Sequence, residues 1–182
     1  MILIVANPAA PFVAVEISEA AAELTAQNFR DASFSGRMKV IHQDFKTFLS
    51  GQKFDCIVSN PPYFEQNESS KHVVARQKKE LDFQELIRNA VALLSPGGLF
   101  SVIIPSDQVT EFVSASEKAG VHLIRKINIF GIEGGKLRRN ILEFSSRKTG
   151  LLEEDFTIEK SPGKFTDLYL KCTEEFHVFS KK

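Results

Sequence analysis

Tryptophan is absent from this chain, cysteine occurs twice and histidine four times, which leaves little from which to build a metal or thiol site. Cys56 sits inside an apolar run and Cys172 lies far from it, so neither has a neighbour at metal-ligand spacing. Two isolated thiols suit a reducing, cytosolic compartment, and no metal is expected. His42, His72, His122 and His177 are equally scattered. An excess of charge is missing too: 23 Lys and Arg balance 23 Asp and Glu. No global field therefore draws the chain to nucleic acid, and any RNA binding rests on a local patch. No apolar stretch reaches the ~20 residues that span a bilayer. The apolar start, Met1 to Ala6, lacks the basic leader and the length of a secretory signal. The 182 residues suffice for one self-supporting core, read as a single monomeric domain over 1–182.

Strand and helix patterns alternate along the chain. Phe12–Glu16 is a short strand; Ser18 then has the character of an N-cap for a helix running to about Asn28. Lys39 to Asp44 and Phe54 to Asn60 are further strands. Phe83, Leu86, Ile87, Ala90, Val91 and Leu94 recur at helical spacing, closed by Pro96-Gly97-Gly98. Leu99 to Ile104 is a strand, and Ser106 or Asp107 opens a helix that Gly120 ends. His122 to Phe130 and Asn140 to Ser145 form a last, antiparallel pair. The pattern predicts a doubly wound, Rossmann-like α/β sheet, mostly parallel with an antiparallel edge.

The run Phe54-Asp-Cys-Ile-Val-Ser-Asn60-Pro61-Pro62-Tyr63-Phe64 carries the most chemistry. Neither proline can continue a ladder, so the strand stops at Asn60 in a stiff loop. That loop offers an amide oxygen, a peptide carbonyl and a ring, a set suited to gripping an amino group on a flat ring. A rigid turn after a core strand is the plainer reading. In open α/β sheets ligands sit outside the carboxyl ends of the strands. Glu16, Asp44 and Asn60 end three consecutive strands. A carboxylate such as Glu16, with Ile17 beside it, can accept from both ribose hydroxyls, and Asp44 can accept an adenine amine while the Phe45 amide faces the ring.

Asn60 to Tyr63 resembles the Asn-Pro-Pro-Tyr motif of S-adenosylmethionine-dependent amino-group methyltransferases. The resemblance implies catalytic roles for Asn60, Pro61, Pro62 and Tyr63. Asn60 and the Pro61 carbonyl would accept both hydrogens of an adenine amine, and Tyr63 would stack on the extruded base. Val13-Ala-Val-Glu16-Ile-Ser, His42-Gln-Asp44-Phe45 and Leu94-Ser-Pro-Gly-Gly98 look like further motifs of a class I methyltransferase. Val74-Ala-Arg76-Gln, Lys136-Leu-Arg-Arg-Asn-Ile-Leu-Glu-Phe144 and Phe165-Thr-Asp-Leu-Tyr169 narrow the resemblance to the bacterial tRNA1(Val) adenine-N6 methyltransferases, over essentially the whole chain. The implied cofactor is S-adenosylmethionine, held by Glu16, Ile17, Asp44, Phe45 and Asn60. The implied partner is tRNA, contacted by Phe64, Arg76, Lys136, Arg138 and Arg139, at the adenine beside the anticodon of a valine tRNA. Lys71, His72, Lys78 and Lys79 would extend a basic lip, although charge-rich loops are usually just solvated.

The chain departs from that family at its start. A strand and glycine-rich loop should precede Phe12, yet the first glycine is Gly36, and an amino-terminally truncated chain is expected. Residues Met1 to Val5 are the candidates for a substitute strand, too close to Phe12 for a crossover helix. Two other readings stay open: methylation of a protein glutamine or of a DNA or rRNA base, and a catalytically inactive remnant that binds RNA or a partner.

Overall fold

In the computed structural model, residues 2–4, 11–31, 35–61 and 72–174 are described. In chain order the elements are β1 (Ile2–Ile4), β2 (Phe12–Glu16), α1 (Glu19–Asp31), β3 (Met38–His42), β4 (Phe54–Ser59), α2 (His72–Leu93) and β5 (Leu94–Pro105). There follow α3 (Val109–Lys118), β6 (His122–Ile132), β7 (Leu137–Ser145), β8 (Leu152–Ser161), β9 (Lys164–Phe165) and α4 (Asp167–Thr173). Single 3-10 turns at Phe45–Thr47 and Ser106–Gln108 follow β3 and β5.

One nine-stranded sheet runs β3-β2-β1-β4-β5-β7-β6-β8-β9. β2 pairs parallel with β3, β4 with β5 and β6 with β8. β7 is antiparallel to both β5 and β6, and β9 to β8. β1 is antiparallel to both β2 and β4, which makes those two parallel to one another across it. The mostly parallel doubly wound sheet is thus as expected, but its reversed strands sit in the middle as well as towards the edge. The reversal of β1 removes the difficulty of a short connection, because antiparallel neighbours need no crossover helix.

The core lies on the face carrying α2 and α3. Alternate residues Phe100, Val102 and Ile104 of β5 are buried and face the same way as Leu142 and Phe144 of β7. Phe112 of α3 is fully buried between them, its ring 5.0 Å from Phe83 of α2, 5.8 Å from Phe144 and 6.2 Å from Phe100.

Several boundaries differ from the sequence pattern, β6 running on to Ile132 and β7 starting at Leu137 among them. β3 and β4 stop at His42 and Ser59, so Asp44 and Asn60 stand just past their strands. α2 starts at His72, before the apolar stripe begins, because Ala75 to Glu80 are mostly strong helix formers needing no buried face. β5 starts at Leu94 and passes through Pro96-Gly97-Gly98, where a bulge opposite Phe54 to Cys56 absorbs the proline. β8 is too acidic for a strand pattern; it is held to β6 by cross-strand ion pairs, Arg125 to Glu154 at 2.6 Å and Lys126 to Glu153 at 2.8 Å.

Candidate active site

Strands β2, β3, β4 and β5 share one direction, so their carboxyl ends form one rim. At β2, Glu16 Oε1 accepts the Ser18 amide at 2.9 Å, while Ser18 Oγ and carbonyl accept the Ala21 and Ala22 amides that open α1. Ser18 is the N-cap read from the sequence. The Ser18 amide holds the Glu16 carboxyl below its ordinary pKa, against the opposing effect of partial burial. The ends of β2 and β3 are lashed together: the Gln43 amide donates to Glu16 carbonyl at 2.9 Å, and a His42 ring nitrogen lies 3.1 Å from Ile17 carbonyl.

Asp44 caps the turn after β3, its Oδ1 accepting the Lys46 amide at 2.9 Å. The Phe45 ring is buried beside Phe48, so the turn is pinned from below by apolar contact. α2 pins it from the side: Asn89 Nδ2 donates to Phe45 carbonyl at 3.2 Å, and Glu85 pairs with Lys46 at 3.1 Å. At β4, Ser59 and Pro61 are buried and Asn60 between them is exposed. Glu16, Asp44 and Asn60 therefore share one rim. Ile17 is exposed at that rim. Pro62, Tyr63, Phe64 and Lys71 lie outside the described residues, as do the side chains of His72, Arg76, Lys78 and Lys79; the latter four are backbone positions on α2.

The β6–β7 hairpin reaches the same rim. Register sets Arg139 opposite Pro105, the last residue of β5, and Lys136 and Arg138 lie further out along the hairpin, all three exposed. Gly134, at φ +68°, and the bond from the Gly135 amide to Ile132 carbonyl shape its tip. Sequence reasoning missed Asn89, Gln108, Asn128 and Asn140. The signal they carried was polarity at a core position: Asn128 and Asn140 interrupt otherwise apolar strand faces and are buried.

A family model described as "Methyltransferase small domain" matches residues 1–130. The chain belongs to that methyltransferase family. Among its relatives, a protein of Flavobacteriaceae bacterium (strain 3519-10) named tRNA1(Val) (adenine(37)-N6)-methyltransferase is 42% identical over 95% of this chain and 75% of its own length. A protein of the same name from Bacteroides thetaiotaomicron is 30% identical over 96% of this chain and 75% of its own. Membership makes the chain part of a family of methyl-transferring enzymes. Solved structures agree on the fold. A protein described as a predicted O-methyltransferase from Agrobacterium tumefaciens matches with a TM-score of 0.64 at 21% identity, over 86% of this chain and 73% of that one. TrmN from Thermus thermophilus matches with a TM-score of 0.54 at 16% identity, over 76% and 37%.

Two carboxylates, at Glu16 and Asp44, are held by backbone amides at adjacent strand ends. Among the described residues there is no cluster of three metal-ligating side chains, and no helix long and apolar enough to cross a membrane.

Proposed function

We propose that the chain, as a single domain over 1–182, methylates the N6 amine of an adenine in tRNA, adenine 37 of a valine tRNA by the names of its relatives. The observation carrying this reading is the shared direction of β2, β3 and β4, by which Glu16, Asp44 and Asn60 stand at one rim. S-adenosylmethionine, when bound, supplies a methyl already activated on a sulfonium. Glu16 and Ile17 hold its ribose side, Asp44 and the Phe45 amide its adenine. The substrate amine is a poor nucleophile because its lone pair is delocalised into the ring. The Asn60 amide oxygen and the Pro61 carbonyl accept its two hydrogens, draw density back to nitrogen and fix the direction of the lone pair. Pro61 and Pro62 stiffen the loop, and Tyr63 and Phe64 provide a stacking face for the extruded base. The exposed cations Lys136, Arg138 and Arg139, with Arg76 on α2, contact RNA phosphates. Cytoplasmic tRNA is the partner this chemistry calls for.

Methyl transfer to undermodified valine tRNA tests the reading. Asn60→Ala should lower the rate by about two orders of magnitude or more while leaving S-adenosylhomocysteine binding intact. A rate within a few fold of the parent would sink the mechanism. The reversed β1 favours a second reading, an RNA-binding fold without turnover, since the strand between β2 and β4 runs antiparallel to both. Calorimetric titration with S-adenosylhomocysteine separates the two: saturable binding supports the enzyme, and a cooperative melt without binding supports the second.

A further inference from the structure

Five buried side-chain polar atoms have no hydrogen-bond partner among the described residues: Ser59 Oγ, Ser106 Oγ, Gln108 Oε1, Ser116 Oγ and Asn140 Oδ1. Burying such a group without a partner costs about 1–3 kcal/mol, so native folds seldom gather them. Four of these five lie on elements at or next to the carboxyl ends of β4 and β5. Ser59 ends β4; Ser106 and Gln108 form the turn after β5; Asn140 pairs with Ile104 near the end of β5. Ser116, near the carboxyl end of α3, is the exception.

Asn140 has a polarity that its surroundings dictate. Asn128 Nδ2 lies 2.8 Å from Asp155 Oδ1 and 3.1 Å from Glu153 Oε1. Carboxylates accept and do not donate, so Asn128 must turn its NH2 group to them and its oxygen the other way. That oxygen accepts from Asn140 Nδ2 at 2.7 Å. Asn140 is thereby committed to donate towards β6, and Oδ1 is left as an acceptor with nothing to accept. Lys126, 2.8 Å from Glu153, and the Asn128 amide together hold the Glu153 carboxyl below its ordinary pKa and keep the chain of bonds oriented.

The register of β4 on β5 ends with Ser59 opposite Val102, and two residues further along β5 Ile104 has Asn140 as its neighbour on the other side. The end of β4 and Asn140 thus flank β5 about two strand spacings, ~10 Å, apart. A single nucleoside bridges that span.

We propose that Asn140 is a substrate-positioning residue: its Oδ1, fixed as an acceptor through Asn128 by Glu153 and Asp155, receives a hydrogen-bond donor of the nucleoside whose amine Asn60 and Pro61 hold. This deepens the methyl-transfer reading and rests on it. The donor is the ribose 2′-hydroxyl, since both hydrogens of the amine are already taken by Asn60 and Pro61.

Fluorescence anisotropy on the whole chain saturated with S-adenosylhomocysteine tests it, with three RNA hairpins. One carries adenosine at the target position, one 2′-deoxyadenosine and one purine riboside, which lacks the amine. Asn140→Ala should weaken binding of the adenosine hairpin about tenfold, with the melting temperature held within a few degrees. That loss should disappear on the deoxy hairpin and persist on purine riboside, whose missing amine belongs to Asn60 and Pro61 and not to Asn140. Equal binding by parent and variant, or the same loss on all three hairpins, overturns the proposal. If Asn140→Ala does not fold, Asn128→Ala carries the test, since it allows the Asn140 amide to turn; a smaller loss with the same hairpin dependence is expected, and a hairpin-independent one overturns it. Asn60→Ala run alongside tells the two levels apart. Harm from Asn60→Ala with none from Asn140→Ala removes Asn140 alone. A parent chain indifferent to the target base, with Asn60→Ala harmless, removes the methyl-transfer reading and Asn140 with it.

Discussion

A carboxylate that accepts a backbone amide two residues ahead fixes both its own direction and the start of the next helix. Glu16 does this at the end of β2, and the bond from the Ser18 amide lowers its pKa. A group whose folded pKa is depressed stabilises the fold above its unfolded pKa and loses that contribution as pH falls through the folded value. Glu16→Gln should therefore melt below the parent at neutral pH, and the gap should close as pH drops below the ordinary carboxylate range; a pH series of thermal melts reads this directly. The same substitution should weaken S-adenosylhomocysteine binding. At this scale much was legible in the sequence. Glu16, Asp44 and Asn60 each announced themselves as a polar residue where an apolar run stops, and Ser18 as a cap. Asn128 and Asn140 did not, because a buried amide in a strand looks like an interruption until its partners on two other strands, Asp155 among them, are known.

Among elements, α3 supplies the pin that joins helices to sheet. Phe112 touches rings from α2, β5 and β7, so Phe112→Ala should cost about 3–5 kcal/mol in urea unfolding, the range for a fully buried aromatic. A loss below ~1 kcal/mol would mean that this cluster is not the core. β1 ties its two neighbours together through backbone pairing. Leu3 pairs with Ala14 on one side and Val58 on the other. Leu3→Pro removes one donor and should lower the melting temperature, whereas an unchanged melt would show the strand to be dispensable. The alternation of strands and helices was legible from periodicity. The direction of β1 was not, since three apolar residues carry no sign of which way they run. β8 was hidden for a different reason: its acidic residues pair with Arg125 and Lys126 across the ladder, an arrangement with no local signature.

For the whole molecule, a net charge of zero makes the basic hairpin the feature that would draw RNA. Replacing Lys136, Arg138 and Arg139 together by alanine should flatten the dependence of log K on log salt by about two, at ~0.7 for each phosphate no longer neutralised. An unchanged slope would remove any role for those residues in RNA binding and leave them as solvent-exposed charges on the hairpin.

The sheet also has a seam. Pairing between the β2–β3 pair and the strands from β4 onward runs through β1, which is three residues long, with Asn89 and Lys46 of the α2 packing as a second tie. Glu16 and Asp44 lie on one side of the seam and Asn60 on the other. The fold is in this sense a caliper: its jaws are the strand ends proposed to hold donor and acceptor, its pivot a strip of backbone one short strand wide. A few degrees of play at the pivot, over a lever of one or two strand spacings, become roughly half an ångström at the jaws, a displacement large enough to slow a methyl transfer. Hydrogen exchange at the amides of β1, compared with those of β5, measures that play.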